Sequence, residues 1–456
     1  MPVSKNVFKN MRLLFTIYLF FGVIILFCCH LIENTDWGEN GINKVFDYII
    51  RNEAKNSASS AGNTTSIGND KISDRIIFID IDDDTYKDWG NPLITPRDKI
   101  ALIIENAYKG GAKIIIPDIL FEYEDFYHPG ADNKLKEVFK DMTNRGVVTK
   151  VIFPVRSDSH GNIRQNFFHE LIDMNANFYT ASADISAPSS DGTSRYWVPY
   201  ESMKRGDENK LIWNMAFLAA ILAEGKEPEL RKLETTLQTG KLPEDYIFKL
   251  DDGRKIVLSL DIDGNIKSDI FANRIRFLLI PEKTLTGYPA GNLFENVYKA
   301  NESANAPFKD KIVIIGNSSP DSGDTYRTPI GRMAGMYIIG NAENTILQGI
   351  QPPRLSAFWS ALLEVAVLII MAYLFSYLTH LSRSKQLRGF IVSLLFSVML
   401  PILFGVLSYY IFLRCGVFLN FFFVSVTIGF LSNAVGAIDL IEQRMAKQPH
   451  YSKVDA

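Results

Sequence analysis

The chain has 456 residues, and its 48 Lys and Arg residues nearly balance 51 Asp and Glu residues, which leaves a formal net charge of −3. This balance gives no reason to expect nucleic acid as a partner. Hydrophobic residues make up 47% of the sequence, and the longest apolar runs lie near its two ends. The average composition therefore mixes two kinds of segment, which have to be considered separately.

Four apolar runs each reach about the 20 residues that cross a bilayer core of about 30 Å. They predict membrane spans at 13–32, 356–378, 389–412 and 415–438. Basic residues precede the first span and lie between the second and third. By the positive-inside rule these segments and both termini are cytoplasmic. The long polar region 33–355 is then predicted to lie outside the cytoplasm.

The segments between the spans follow from the same boundaries. The N-terminus covers 1–12, the loop between the second and third spans covers 379–388, and the tail covers 439–456. From a tail of this length we expect no cytoplasmic output domain. Bulky residues follow the first span where a signal-peptidase site needs small ones, so we expect an uncleaved anchor.

The positions of the cysteines agree with the predicted membrane spans. The three cysteines are Cys28, Cys29 and Cys415, and all lie in or beside the apolar runs. We therefore expect no disulfide framework in the polar region, which is long enough to bury a core without one.

The polar region begins with a helical pattern at 33–50 and a flexible loop at 52–73 that is rich in Ser, Asn and Gly. Apolar runs at 75–82, 112–118 and 147–155 then alternate with segments of helical periodicity. Such alternation predicts βαβ units and a mostly parallel sheet. The runs are continuous, which is typical of strands buried on both faces.

The second half of the polar region is less regular. The run 211–223 predicts a core helix, and 341–348 predicts another. Strands are predicted at 255–260, 274–280 and 311–316. The fold class is therefore an α/β domain with a mostly parallel sheet, plus one transmembrane helix before it and three after it.

Several short motifs occur in a characteristic order. They are Asp80–Thr85, Pro96-Arg97, Gly111–Asp118, Lys311–Gly316, Asp324 with Thr328-Pro329, and Met333–Gly335 leading to Asn341. Together with the spans, this set resembles the CHASE2 domain, an extracytoplasmic sensory module of bacterial transmembrane receptors. The resemblance covers roughly 35–438, although Asn91–Pro96 replaces the Trp-Pro-Trp-like step of the family. It implies a sensory or binding domain.

Acidic side chains follow two of the predicted strands. Asp82 and Asp83 end the first, and Asp118 ends the second. Ligands of parallel sheets bind beyond the carboxyl ends of the strands. These acids, together with Asp324 and Arg97, are therefore candidates for one ligand pocket. Such oxygen clusters suit Mg²⁺ or Ca²⁺. The alternative is structural: the acids cap helices or pair with a basic residue such as Arg97.

An enzymatic interpretation compares the same acids with a phosphatase of the haloacid-dehalogenase type, which uses Asp-x-Asp-x-Thr after a buried strand. Here Thr85 follows Asp80 by five residues, and Asp84 stands where the motif needs threonine. We therefore expect no enzymatic activity, no catalytic residue and no cofactor. A metal-dependent extracytoplasmic hydrolase remains an alternative, and whether a metal binds stays open.

Three features suggest contacts with other helices or proteins. Glu364 lies inside the second span, where an ionised carboxylate is costly unless it is paired. Gly429 and Gly436 belong to a stripe of small residues in the last span, which permits close helix contact. The aromatic residues between 121 and 127 are interrupted by acids and predict a loop that supplies core or partner contacts.

These features predict a multi-pass protein of the bacterial inner membrane with its large domain in the periplasm. We expect it to sense or bind a ligand or partner there and to act through other inner-membrane or periplasmic proteins. A homo-oligomer is a further option. The main alternative is a structural subunit of a larger cell-envelope complex.

Overall fold

The computed structural model describes residues 15–25, 27–28, 36–60, 73–184, 189, 191–206, 208–238, 245–259, 273–281, 287–292, 307–350, 357–382, 399 and 402–412. The chain divides into two units. One comprises 50–351, and the other comprises 1–49 together with 352–456. Each unit has an apolar cluster of its own.

The described strands, in chain order, are β1 (Ile76–Ile81), β2 (Ile114–Pro117), β3 (Lys150–Val155), β4 (Phe178–Ser182), β5 (Tyr200–Arg205), β6 (Glu208–Trp213), β7 (Asp245–Lys249), β8 (Lys255–Ser259), β9 (Gly287–Pro289), β10 (Ile312–Asn317), β11 (Thr325–Thr328) and β12 (Gly331–Ala334).

The described helices, in chain order, are α1 (15–25 and 27–28), α2 (Asp36–Ser60), α3 (Asp83–Asp88), α4 (Arg97–Lys109), α5 (Ala131–Asn144), α6 (His169–Met174), α7 (Met215–Ala223), α8 (Glu227–Gln238), α9 (Gly335–Leu347), α10 (Ala357–Ser382) and α11 (402–412).

A six-stranded sheet organises the unit 50–351, in the order β4-β3-β2-β10-β1-β9. Every pairing in it is parallel, which confirms the α/β prediction. β10 comes much later in the sequence than β1 and β2, but in the sheet it lies between them. Three antiparallel hairpins, β5-β6, β7-β8 and β11-β12, complete the described sheet structure.

The central strands are buried on both faces, as their continuous apolar runs predicted. On one face, Ile77 and Ile79 of β1 join a cluster that includes Ile103 of α4 and Phe139 of α5. On the opposite face, the ring of Phe78 lies 5.3 Å from the ring of Tyr337 in α9. Helix α9 is buried along its whole length, so the sheet is covered on both sides.

The close approach of α9 to β1 depends on Gly340. A Cβ atom at this position would lie 2.2 Å from Cζ of Phe78. We expect Gly340→Ala to lower the free energy of unfolding by about 1–3 kcal/mol, because overpacking outweighs the gain of about 1 kcal/mol in helix propensity. Urea unfolding of the full chain in detergent, followed by tryptophan fluorescence, measures this effect.

The control for that experiment is Gly405→Ala in α11. Its added Cβ would meet no heavy atom within 4 Å, so no loss of stability is expected. If Gly340→Ala were as stable as the unchanged protein, the proposed close packing of helix on strand would be wrong.

The segment 274–280 was predicted to be a strand and is not one. Apart from an isolated bridge between Arg274 and Tyr196 and a hydrogen bond from the N–H of Ile275 to the carbonyl of Arg195, its buried backbone groups bond to side chains of α9. The N–H of Leu279 donates to Oδ1 of Asn341 at 2.8 Å, and Nδ2 of Asn341 donates to the carbonyl of Leu279 at 2.9 Å. The N–H of Arg276 donates to the hydroxyl of Thr345 at 2.9 Å. Apolar side chains in this segment therefore reflect burial without a strand pairing.

Two further boundaries differ from the predictions. The run 211–223 is a strand end followed by a helix, because the side chain of Asn214 accepts from the N–H groups of Ala216 and Phe217 and so begins α7. The first part of the predicted loop 52–73 continues helix α2 as far as Ser60, and 61–72 lie outside the described residues.

In the other unit, helices α1 and α10 contribute to one apolar cluster. Tyr18 packs with Met371 and Ala372, and Phe404 of α11 lies against them. Gly22 brings its helix close to Leu368, since a Cβ there would lie 2.8 Å from that side chain.

No helix within the described residues is both long enough and apolar enough to cross a membrane. The predicted span 415–438, and half of 389–412, lie outside the described residues. The prediction of four transmembrane helices is therefore not supported.

Candidate functional site

Acidic residues gather at the carboxyl edge of the central sheet because β1, β10 and β2 are parallel neighbours. Asp80 lies near the end of β1, and Asp118 directly follows β2. Asp324 precedes β11, in the segment that follows β10. The sequence correctly predicted that carboxylates meet at this edge, but it included residues that do not take part.

Asp118 and Asp324 form a close pair. Burial and the neighbouring charge of Asp324 raise the pKa of Asp118 to about 8. Burial also raises the pKa of Asp324, although the hydroxyl of Tyr326 and the N–H of Gly335 donate to its carboxylate. Gly335 is required here, because a Cβ would lie 2.4 Å from Oδ2 of Asp324. Near neutral pH, two such carboxyl groups retain one proton, so they are not both ionised.

Asp80 has a different set of partners. Ser318 and Tyr337 both donate their hydroxyl groups to its Oδ2 atom, at 2.8 Å and 2.5 Å. Its Oδ1 atom is buried and has no hydrogen-bond partner among the described residues. Burial raises the pKa of Asp80 despite these hydrogen bonds. The residue therefore ties β1 to the loop after β10 and to helix α9.

Asp82 and Asp83 take local structural roles. Oδ1 of Asp82 accepts from the N–H of Thr85 at 2.9 Å and begins α3. Asp83 pairs with Lys87 one turn later on an exposed surface. These contacts follow the structural alternative, in which such acids cap helices or pair with a basic residue.

Arg97 belongs to another network. It is buried, it pairs with Asp132 of α5, and it donates to the carbonyl of Tyr123. Its guanidinium also lies over three aromatic rings, with 5.5 Å to the ring centre of Phe121. The proposed pairing of Arg97 with a strand-end acid is therefore wrong. The sequence offered no signal for the pair with Asp132, since the two residues lie on different helices.

The five predicted ligand residues thus do not form one pocket. Asp118 and Asp324 interact with each other, whereas Asp82, Asp83 and Arg97 make the separate contacts described above. Within the part of the chain that the structure describes, no group of three or more His, Cys, Asp or Glu side chains could hold a metal ion.

A second candidate site is a cavity of about 460 Å³ beside the edge strand β4. Its walls come from the end of β3, the loop before α6, helix α6, strand β4 and the β5-β6 hairpin. The lining residues include Val155, Asn162, Ile163, Gln165, Asn166, His169, Ile172, Asp173, Thr180, Lys204, Arg205, Gly206, Lys210 and Ile212. Its size falls in the range of small-molecule sites.

The cavity exists because the hairpin folds back over this edge of the sheet. Val155, Met203 and Ile212 form a small apolar cluster that holds the hairpin against β3. The N–H of Ile163 donates to the carbonyl of Lys204 at 2.8 Å, which ties the loop to the hairpin. None of the lining residues was predicted. The one available signal was Gly206 between two polar runs, which indicates a turn but not where the hairpin packs.

Comparison with known proteins identifies the family of this chain. The family model of the CHASE2 domain matches residues 19–377, which is most of the chain. No curated protein and no solved structure shows significant similarity to it. The motifs at the ends of β1, β2 and β10 lie within the matched range. The chain therefore belongs to the CHASE2 domain family, a family of sensory extracytoplasmic domains.

Proposed function

We propose that this CHASE2 protein is a membrane-anchored sensor whose unit 50–351 binds a small molecule outside the cytoplasm. The observation that carries the proposal is the cavity beside β4. It combines an apolar wall, from Val155, Ile163 and Ile212, with amide and charged groups around it. A concave, partly apolar site with a few polar groups is the usual form of a ligand pocket. The protein acts by binding and not by catalysis.

The membrane anchor is part of this proposal. Large apolar side chains are exposed on the described helices of the other unit: Phe20, Phe21 and Phe27 of α1, Leu362, Ile369, Ile370 and Tyr373 of α10, and Ile402, Leu403 and Val406 of α11. Apolar surface of this extent is normally covered by lipid or by another protein. It supports contact of this unit with lipid. Taken with the positive-inside pattern of the sequence, the proposal is a multi-pass protein of the bacterial inner membrane with its large domain in the periplasm.

The output is proposed to pass through other inner-membrane or periplasmic proteins. Glu364 of α10 is buried and remains the candidate coupling residue in this unit. Gly429 and Gly436 lie outside the described residues. Glu364→Gln is the substitution of choice for testing whether partner association depends on this helix.

A structural subunit of a cell-envelope complex is the second candidate, and one observation favours it. Tyr123, Phe126 and Tyr127 are strongly exposed, although Phe121 beside them is in the core. The loop that carries them is held in place, because Asp125 accepts from the N–H groups of Tyr127 and His128, both at 3.1 Å. Exposed aromatic residues on an ordered loop are typical of protein contacts.

The sensor proposal predicts a ligand-dependent rise in thermal stability that depends on the cavity. Thr180→Phe places a large side chain on β4 at the cavity wall, so it should abolish the shift. The full chain in detergent is heated with a panel of small metabolites. We expect at least one compound to raise the melting temperature by several degrees in the unchanged protein and not in Thr180→Phe.

Thr235→Phe is the matched control, because Thr235 is an exposed residue of α8 outside the cavity lining. It should keep the shift. A panel without any stabilising compound, or an equal shift in Thr180→Phe, would favour the structural subunit. Affinity purification in mild detergent, with Tyr123→Ser and Phe126→Ser as variants, then tests the aromatic loop.

A further inference from the structure

The cavity beside β4 has an excess of positive charge. Its lining residues include three basic ones, Lys204, Arg205 and Lys210, and one acidic one, Asp173. Arg205 donates from Nη2 to Oδ2 of Asp173 at 3.0 Å, which neutralises that carboxylate and orients the guanidinium. Lys210 forms no ion pair within the described residues. The cavity therefore retains uncompensated positive charge.

The register of the hairpin shows which cations face the cavity. Met203 pairs with Lys210, and Arg205 pairs with Glu208. Paired residues lie on the same face of an antiparallel ribbon, and side chains alternate along each strand. Met203 is buried toward β3, so Arg205 and Lys210 share its face as diagonal neighbours. Lys204 pairs with Asn209, so by alternation it belongs to the opposite face of the hairpin, although it contributes to the cavity lining.

Asn166 supplies a second, independent feature. It is 5% exposed, and its Oδ1 atom accepts from the N–H of Phe168 at 2.8 Å. This hydrogen bond determines the orientation of the amide and leaves Nδ2 as a buried donor. Nδ2 has no partner among the described residues, although Asn166 lines the cavity. Buried donors are normally satisfied, so Nδ2 is available to an acceptor atom in the cavity.

His169 completes the polar wall. Its Nδ1 atom lies 3.1 Å from the backbone carbonyl of Asn166 and donates to it. Nε2 is then the nitrogen left to contact a ligand. On the other side, Ile163, Ile172 and Ile212 form an apolar wall. The cavity thus has a cationic end, a buried donor and an apolar surface.

Resting on the sensor function proposed above, we infer that the ligand is a small organic anion. Its carboxylate or phosphate group lies between Arg205 and Lys210, an acceptor atom takes the hydrogen bond of Nδ2 of Asn166, and its apolar part lies against the isoleucine wall. Carboxylate and phosphate groups share the planar or multidentate acceptor geometry that guanidinium and ammonium groups bind.

The test uses matched pairs of an anion and its neutral analogue: benzoate with benzamide, nicotinate with nicotinamide, and phenyl phosphate with phenol. Isothermal titration on the full chain in detergent measures binding at two salt concentrations. We expect at least one anion to bind at least tenfold more tightly than its neutral analogue, with affinity that falls as salt rises. The carboxylate and phosphate members distinguish the two head groups.

Three variants locate the binding site. Lys210→Gln should weaken binding of the anion at least tenfold. Asn166→Asp keeps the acceptor for the N–H of Phe168 and replaces the free donor by an anionic oxygen, so it should abolish binding without loss of the fold. Lys204→Gln removes the same charge on the opposite face of the hairpin and should have a much smaller effect.

Two outcomes overturn the inference in distinguishable ways. If a neutral analogue binds as tightly as its anion, and Thr180→Phe abolishes that binding, the ligand is not an anion although the sensor function stands. If no member of the panel binds, or if Lys204→Gln weakens binding as much as Lys210→Gln, the anion site is wrong. An absence of any ligand shift in the metabolite panel as well would remove the sensor function too.

Discussion

Replacing Arg276 by methionine is expected to lower the free energy of unfolding of the unit 50–351 by about 3–5 kcal/mol. Arg276 and Glu53 form an ion pair with side chains only 2% and 4% exposed. Nη1 of Arg276 also donates to the carbonyl of Ile350 at 3.3 Å. Burial lowers the pKa of Arg276 to about 10, yet the group stays charged at neutral pH. The variant removes the cationic partner of the buried Glu53 carboxylate, and this lost pairing is the source of the loss.

Urea unfolding of the full chain measures the expected loss of stability. Trp197 and Trp213 are buried in this unit, so their fluorescence follows its unfolding. The double variant Glu53→Leu with Arg276→Met removes both charges and should recover most of the loss. Arg231→Met, which breaks an exposed pair with Glu227, should change stability by less than about 0.5 kcal/mol. A loss below about 1 kcal/mol for Arg276→Met would contradict the buried pair.

The second large expected effect is a gain in the free energy of unfolding. Asp118→Asn is expected to stabilise the protein at pH 8 by on the order of 3 kcal/mol. The carboxyl of Asp118 has a pKa of about 8 in the folded state, against an ordinary value of 3.8. Its stabilisation of the fold is complete below about pH 4 and is lost progressively as pH rises to about 8, because the unfolded chain ionises first. Asparagine cannot ionise, so the variant avoids this loss.

Unfolding curves at pH 5 and pH 8 measure the prediction. The gap between Asp118→Asn and the unchanged protein should be small at pH 5 and large at pH 8. Asp251→Asn serves as the control, since Asp251 is 95% exposed and should leave the pH dependence unchanged. If Asp118→Asn kept the full pH dependence of the unchanged protein, another group would be responsible for it.

Much of the central sheet was predictable from the sequence. Ile76–Ile81, Ile114–Pro117 and Ile312–Asn317 are strands, as their continuous apolar runs indicated. The helical periodicity after the first run predicted Arg97–Lys109 in the same way. These elements depend on local patterns of side chains, which a sequence displays directly. The run 274–280 was equally apolar, but Asn341 and Thr345 satisfy its backbone, so it is not a strand.

The candidate sites differ in the same way, since some of their contacts join residues close in sequence and others join distant segments. The capping of α3 by Asp82 and the pairing of Asp83 with Lys87 connect residues three or four positions apart. Contacts of that kind follow from the sequence. The cavity, in contrast, needs Asn166, Thr180 and Lys210 from three segments that share no pattern.

The sequence by itself determined the identity of the main βαβ elements, the placement of carboxylates after strands and the family resemblance, because each depends on short-range order along the chain. The tertiary structure decided the position of β10 between β1 and β2, the pairing of Arg97 with Asp132 and of Arg276 with Glu53, and the cavity beside β4. These features arise where distant segments pack together. Burial of apolar surface does not specify which segments meet, since the hydrophobic effect has no direction.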